Sequence, residues 1–450
     1  MFGLSLLSLL LALPAQVTRQ DLEPFVRQLV APALEHEGVP GISVAVAIDG
    51  ELVLASGFGW ADEIRGIPMG AETVFPIGSL GRSLVAAAAL REVERKSMRL
   101  ESTLGELVPE ISEPLHAIAL RQLLDGTSGL PSSSALFQGL AARKPAGALT
   151  WPQFLTELAA LPMQAEPGAG FSADSSSWLL LPLVIERASK RSFNDCLAQE
   201  ICVPLGLRET QVRTELAGAV GHAADCLAVE QGTTLELWTG LEPSAARAHL
   251  FSTARDLVRW QSALFQHALL TEASAHILLD SARSQDGTAL GANACFELGE
   301  LGGAPMWRHV GGLAGWRGAL AWHEQGRLAV CVLANCEGAQ VAQLEEEIAR
   351  YVLGLPPLHP LDLELVSGES AALCGVYMLG TLRVRIHEES GSLWYESATQ
   401  EPVRLRNQGL RRYLAAGGEF WLRFKPESAN AASFEVHSKG TLSVALRTDG

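Results

Sequence analysis

The chain has 450 residues, of which 48% are hydrophobic and 19% charged, and it carries a formal net charge of −16. A chain of this length can bury a large core and divide into two domains. An acidic chain with no basic block offers little to nucleic acid or to an anionic membrane surface. It has no Cys-x-x-Cys pair and no His-Glu-x-x-His helix, so neither a metal nor another cofactor is expected.

The chain opens on "MFGLSLLSLLLALPAQVTRQ", an apolar run that ends in small residues near Ala15. The run is too short to span a bilayer comfortably and is read as a secretory signal over residues 1–15. The mature protein is then expected to be exported, to the periplasm or the medium, with no membrane span remaining. Gly41 to Asp62 holds two apolar runs joined by Asp49-Gly50, the signature of a hairpin. "FPIGSLGRSLVAAAAL", Phe75 to Leu90, reads as a strand end, a tight turn carrying Ser79, and a helix continuing to about Met98. Further helical patterns lie at 150–161, 176–189, 253–269 and 341–353, and Gly318 to Asn335 is a second hairpin turning at Gly326. Strands at both ends of this region with helices between them predict an α+β fold, an antiparallel sheet with helices packed on both sides plus a helical region.

The Pro-rich stretch "LGLPPLHPLDLE", Leu353 to Glu364, separates a domain over 20–355 from one over 361–450. Beyond it five short alternating stretches predict a small antiparallel β-barrel-like domain. Seven cysteines cannot all pair within one chain, and most read as small buried residues. Cys196 with Cys202 is the one local pair worth considering. All four tyrosines lie at or beyond Tyr351.

A serine ahead of a helix is ordinarily only an N-cap. Here it is followed by "LRQLLDGTSGLP", "PGAGFSADSSSWLLLPLVIERAS", "FSTARDLVRW" and "WRHVGGLAGWRGALAW", in that order. Together these stretches resemble the β-lactamase-related serine hydrolases: class C β-lactamases, penicillin-binding proteins and DD-peptidases, with their esterase relatives. The resemblance covers roughly residues 25–350 and implies the β-lactamase/transpeptidase-like sheet. It also implies three motifs: Ser-x-x-Lys opening a helix, Tyr-x-Asn in a loop, and Lys-Thr-Gly or His-x-Gly on a facing strand. Acyl transfer requires such groups, because a hydroxyl must lose its proton as it attacks and the leaving group must gain one.

The first motif here is Ser79-Leu80-Gly81-Arg82. A lysine can be tuned towards neutrality but an arginine cannot; removing its proton at pH 7 costs about 8 kcal/mol. The second aligns at Ala173-Asp174-Ser175, and no tyrosine precedes Tyr351 to replace the missing one. Ser175 retains a hydroxyl for a substrate, and Asp174 is either a helix N-cap or a carboxylate base. The third survives as His309-Val310-Gly311, with Gly312 after it. By resemblance, the backbone N–H groups of Ser79 and Gly312 form an oxyanion hole. With both family bases missing, the sequence favours a catalytically impaired protein that binds a small-molecule or peptide-like ligand. The alternatives are an active serine hydrolase using Ser79 with His309 or Asp174, and an interaction module built on the β-domain.

Overall fold

The computed structural model describes residues 17–143, 150–173, 176–212, 250–284, 286–313, 315–359, 362, 365, 368–409, 411–417, 420–425, 430–438 and 441–448. The leader at 1–15 and the candidate site residues Asp174 and Ser175 lie outside them.

β1 (Gly41–Ile48) and β2 (Glu51–Asp62) form the first hairpin, turning at Asp49 (φ 49°) and Gly50 (φ 85°). Two successive left-handed residues match the right-handed twist of the strands, which is why Asp-Gly stands there. β3 (Ile67–Pro68) pairs with β2; β4 (Phe75–Pro76), β5 (Gln211–Val212) and β6 (Leu250–Ser252) form a separate small sheet. β7 (Glu297–Leu301), β8 (Ala304–Leu313), β9 (Trp316–His323) and β10 (Leu328–Ala334) complete the main sheet, whose order is β3-β2-β1-β10-β9-β8-β7, antiparallel throughout. The β9–β10 connection turns at Gly326 (φ 77°). β1 and β10 lie at the centre and are apolar at nearly every position, as strands covered on both faces must be.

Ser79 lies in a 3₁₀ turn, Gly78–Gly81, entered through Gly78 at φ 49°. The helix that follows spans Arg82–Glu94. It stops short of Met98 because Lys96 adopts a left-handed conformation, φ 64°. Ala86, Ala87, Ala88 and Ala89 are fully buried, and their small side chains let the Ser177–Ser189 helix pack closely on them. The Trp260 indole N–H donates to Ser83 Oγ (2.9 Å), tying the Ala254–Phe265 helix to the start of the Ser79 helix. At its far end Arg191 donates to Glu92 (2.6 Å) and Glu200 (3.1 Å), which Arg95 also reaches (2.8 Å). The other predicted helices appear as Trp151–Ala160, Ser177–Ser189, Ala254–Phe265 and Val341–Leu353. The Ser177–Ser189 helix has Ser176, not Asp174, at its N-cap position.

The chain divides into two compact units, residues 29–349 and residues 1–28 with 350–450. The second holds a closed eight-stranded barrel: β11 (Gly375–Leu379), β12 (Leu382–Glu389), β13 (Ser392–Ser397), β14 (Gln400–Gly409), β15 (Arg412–Ala415), β16 (Trp421–Lys425), β17 (Ser433–Ser438) and β18 (Thr441–Arg447). Its interior is filled by side chains, among them Tyr377, Tyr413, Phe424 and Phe434. The sequence reading missed β11, β14 and β15. The polar β14 hides Asn407 and Gln408 in place of an apolar alternation. Cys196 and Cys202 are not paired. Their thiols face different partners, Ser189 Oγ (3.2 Å) and the Thr210 carbonyl (3.3 Å). No helix among the described residues is long and apolar enough to cross a membrane, and none of their side chains forms a group able to hold a metal ion.

Glu92 is only 1% exposed and depends on Arg191. Arg191→Ala leaves a buried carboxylate without this cation, so a loss of about 3 kcal/mol in urea unfolding is expected, whereas a surface pair would give less than ~1 kcal/mol.

Candidate active site

The 3₁₀ turn brings Ser79 against β8. His309, on β8, places Nε2 3.1 Å from Ser79 Oγ, across 230 residues of sequence. Its other ring nitrogen, Nδ1, lies 2.6 Å from the Cys295 carbonyl. A carbonyl oxygen only accepts, so Nδ1 carries the proton and donates it. In the neutral ring Nε2 is then a lone pair, and the Ser79 hydroxyl donates to it. A hydroxyl, an imidazole nitrogen with its lone pair towards it and a carbonyl that orients the ring thus stand in succession, an arrangement able to activate a serine.

Glycine makes this approach possible. A Cβ on Gly311 would lie 2.1 Å from Ser79 Oγ, and one on Gly312 would lie 2.1 Å from the Trp316 carbonyl. Any larger residue at 311 pushes the hydroxyl off the imidazole, and one at 312 breaks the close pairing of β8 with β9. Gly311 and Gly312 face Gly318 and Arg317 in that pairing.

Arg82 begins the helix one turn after Ser79. Its guanidinium carbon is 5.6 Å from the centre of the Trp178 ring, within cation–π range. Its charge also reaches His309. Burial first, and then Arg82, push the imidazole down to about 4, against the opposing pull of the Cys295 carbonyl. The ring is therefore neutral at pH 7, with Nε2 able to accept. Burial likewise pushes the Cys295 thiol up to about 12, with Arg82 opposing. That thiol is not a nucleophile, and Cys295 contributes its carbonyl.

Of the residues singled out in the sequence, Ser79, Arg82, His309, Gly311 and Gly312 converge here. Ala173 is exposed at the position where the resemblance calls for tyrosine. Asp174 and Ser175 are outside the described residues. The sequence reading missed the Cys295 carbonyl, which has no side-chain signature, and Trp178, which reads as one more apolar residue of a buried helix. The four tyrosines belong to the unit that holds the barrel. Tyr377 Oη donates to the Leu373 carbonyl (2.8 Å) and Tyr351 Oη to that of Asp21 (3.3 Å).

A model of the β-lactamase family matches residues 26–353, and the chain belongs to that family. A D-aminopeptidase of Brucella anthropi is 28% identical over 343 residues, covering 74% of this chain and 62% of the relative; D-aminopeptidases of other Brucella species match at similar levels. The match thus spans under two thirds of these relatives' length. Among solved structures, the octameric penicillin-binding protein homologue from Pyrococcus abyssi superposes with TM-score 0.61 at 19% identity, over 93% of this chain and 99% of that one. D-amino acid amidase from Ochrobactrum anthropi SV3 superposes with TM-score 0.58 at 21% identity, over 74% and 98%. These likenesses establish a shared fold.

Gly311→Ala is expected to preserve the fold and to slow phosphonylation of Ser79 by a fluorophosphonate by about 10²-fold or more, since the hydroxyl loses its base. An unchanged rate, followed by intact mass, would mean that Ser79 does not rely on this contact. In the native protein the same rate should hold down to mildly acid pH and fall as pH drops through about 4, where His309 takes up a proton.

Proposed function

We propose that the protein is an active serine hydrolase in which Ser79 is the acylated nucleophile and His309 its general base and acid. The observation that carries this reading is the Ser79–His309–Cys295 alignment: Oγ to Nε2 at 3.1 Å and Nδ1 to carbonyl at 2.6 Å. One histidine then does the work that the resemblance divides between a lysine and a tyrosine. Ser79 Oγ attacks an acyl carbonyl while Nε2 takes its proton. The tetrahedral oxyanion is received by the N–H groups of Ser79 and Gly312. The imidazolium returns the proton to the leaving group, and the same base draws a proton from water for deacylation.

Arg82 acts in both directions on this path. Adding to the larger effect of burial, it disfavours the imidazolium: a base lowered by the two together from 6.5 to about 4 loses about 3 kcal/mol of driving force for proton transfer. It favours the negative charge growing on the serine and substrate oxygens beside it. Once charged, the imidazolium is a strong acid, well suited to protonating a leaving group. Amides and esters of D-amino acids are the first substrates to test, because the relatives are named D-aminopeptidases and a structural neighbour D-amino acid amidase. The reading of a ligand binder without turnover is favoured by one observation, the weakened base beside Arg82. Export, inferred from the apolar segment at 1–15, awaits N-terminal sequencing of protein recovered from a periplasmic fraction. A mature chain starting near Gln16 is expected.

The test is hydrolysis of p-nitrophenyl acetate and of D-alanine p-nitroanilide. Ser79→Ala should abolish turnover, and His309→Gln should lower kcat by about 10²–10⁴-fold. Arg82→Met should shift the acid limb of the kcat/KM profile upward from about 4, towards the ordinary imidazole value of about 6.5. Activity indifferent to Ser79 or to His309 would refute the mechanism, and no turnover of either probe would favour the ligand-binding reading.

A further inference from the structure

His309 presents Nε2 to Ser79 only while its Nδ1–H has a fixed acceptor. That acceptor is a backbone carbonyl in the connection between the Glu272–Leu279 helix and β7. A carbonyl there is only as well placed as the segment carrying it, and one side chain pins this segment at four points. Asn293 Oδ1 accepts the N–H groups of Cys295 (2.8 Å) and Phe296 (2.9 Å). Asn293 Nδ2 donates to the carbonyls of Leu278 (2.8 Å) and Asp280 (2.6 Å) at the end of the helix. Two donors face one terminal atom and two acceptors face the other, so the amide has a single satisfactory orientation.

The circuit closes on the strand it serves. The Trp307 indole N–H donates to the Leu279 carbonyl (3.0 Å), and Trp307 lies on β8 two residues before His309. Hydrogen bonds thus run from β8 through Trp307 to the helix end, through Asn293 to Cys295, and through the Cys295 carbonyl back to β8 at His309. The Phe265 ring packs against those of Phe296 and Trp307, with centroids 6.1 and 5.0 Å apart, and adds apolar bracing to the same circuit.

We propose that Asn293 is a positioning residue of this site: by fixing the Cys295 carbonyl it sets the tautomer and ring plane that turn His309 Nε2 towards Ser79. The proposal rests on the hydrolase reading for its bearing on catalysis. Its four hydrogen bonds among the described residues all go to backbone groups, so Asn293 acts through Cys295. Few residues can replace it. Aspartate keeps the acceptor half but sets a carboxylate against two carbonyls, and alanine removes all four bonds.

The experiment compares the full-length protein with Asn293→Ala and Asn293→Asp, using ¹⁵N NMR of the His309 imidazole and the kinetics and pH profile of p-nitrophenyl acetate hydrolysis. The native ring is expected as the Nδ1–H tautomer. Asn293→Ala should mix the tautomers, lower kcat by about 10²-fold with little change in KM, and move the acid limb upward from about 4 as water reaches the ring. Among the described residues, the groups facing the ring in that titration are Ser79, Arg82 and Cys295. Asn293→Asp should fall between the native protein and the alanine variant. A folded Asn293→Ala with the native tautomer and native acid limb overturns the proposal, even if kcat falls, because such a loss is only structural. Should the alanine variant not fold, the same two readouts on Asn293→Asp decide. The tautomer needs no turnover to be read. A protein without esterase activity whose His309 tautomer still depends on Asn293 would refute the hydrolase reading and uphold this one.

Discussion

A neutral imidazole has one donor and one acceptor, and in this protein the donor is committed to the Cys295 carbonyl at 2.6 Å. Everything in the site follows from that commitment. With Nδ1 protonated, the lone pair is on Nε2 and faces Ser79 Oγ. Gly78 bends the chain into the 3₁₀ turn that presents the serine, and Gly311 leaves the space into which its hydroxyl projects. Ser83 and Trp260 hold the helix behind it. The main sheet pairs β8 on both sides, with β7 and β9, and the serine and the histidine meet there although they come from distant parts of the chain.

Arg82 defines how this site differs from the pattern its family membership implies. A lysine in that position can shed a proton; a guanidinium cannot. The arginine therefore takes no part in proton transfer and is a fixed positive charge felt by His309, its guanidinium carbon 5.6 Å from the centre of the Trp178 ring. Burial first, and the arginine's charge second, keep His309 unprotonated far into the acid range. In the proposed mechanism the exchange gives up basicity and gains oxyanion stabilisation. The pH dependence expected of that mechanism is that of a histidine moved to the acid side rather than of a lysine moved down from the alkaline side.

Much of the frame could be read from the residues alone. Asp49-Gly50 and Gly326 announce their hairpins because a tight turn needs left-handed backbone at these positions. Ser79, Arg82 and the His309-Val310-Gly311 stretch stood out through the resemblance of the surrounding stretches to a known family; taken alone, a serine before a helix reads as an N-cap. The alanine-rich helix was legible in its start but not in its end, where Lys96 takes a left-handed turn that lysine does not advertise. β14 escaped because its buried positions include Asn407 and Gln408. The pairing of Ser79 with His309 could be raised only as one option beside Asp174, since a distance across 230 residues leaves no mark in either local pattern. The orienting group was beyond sequence reading altogether: every residue has a carbonyl, and only the fold decides which one meets an imidazole.

The central claim is that Ser79 is acylated with His309 as its base. Rapid-quench intact-mass analysis during the first turnover of p-nitrophenyl acetate tests it most directly. The account predicts a single acetyl group that peptide mapping places on Ser79, formed in a burst that His309→Gln suppresses. An unmodified protein, or an acetyl group that forms as quickly without His309, would contradict it.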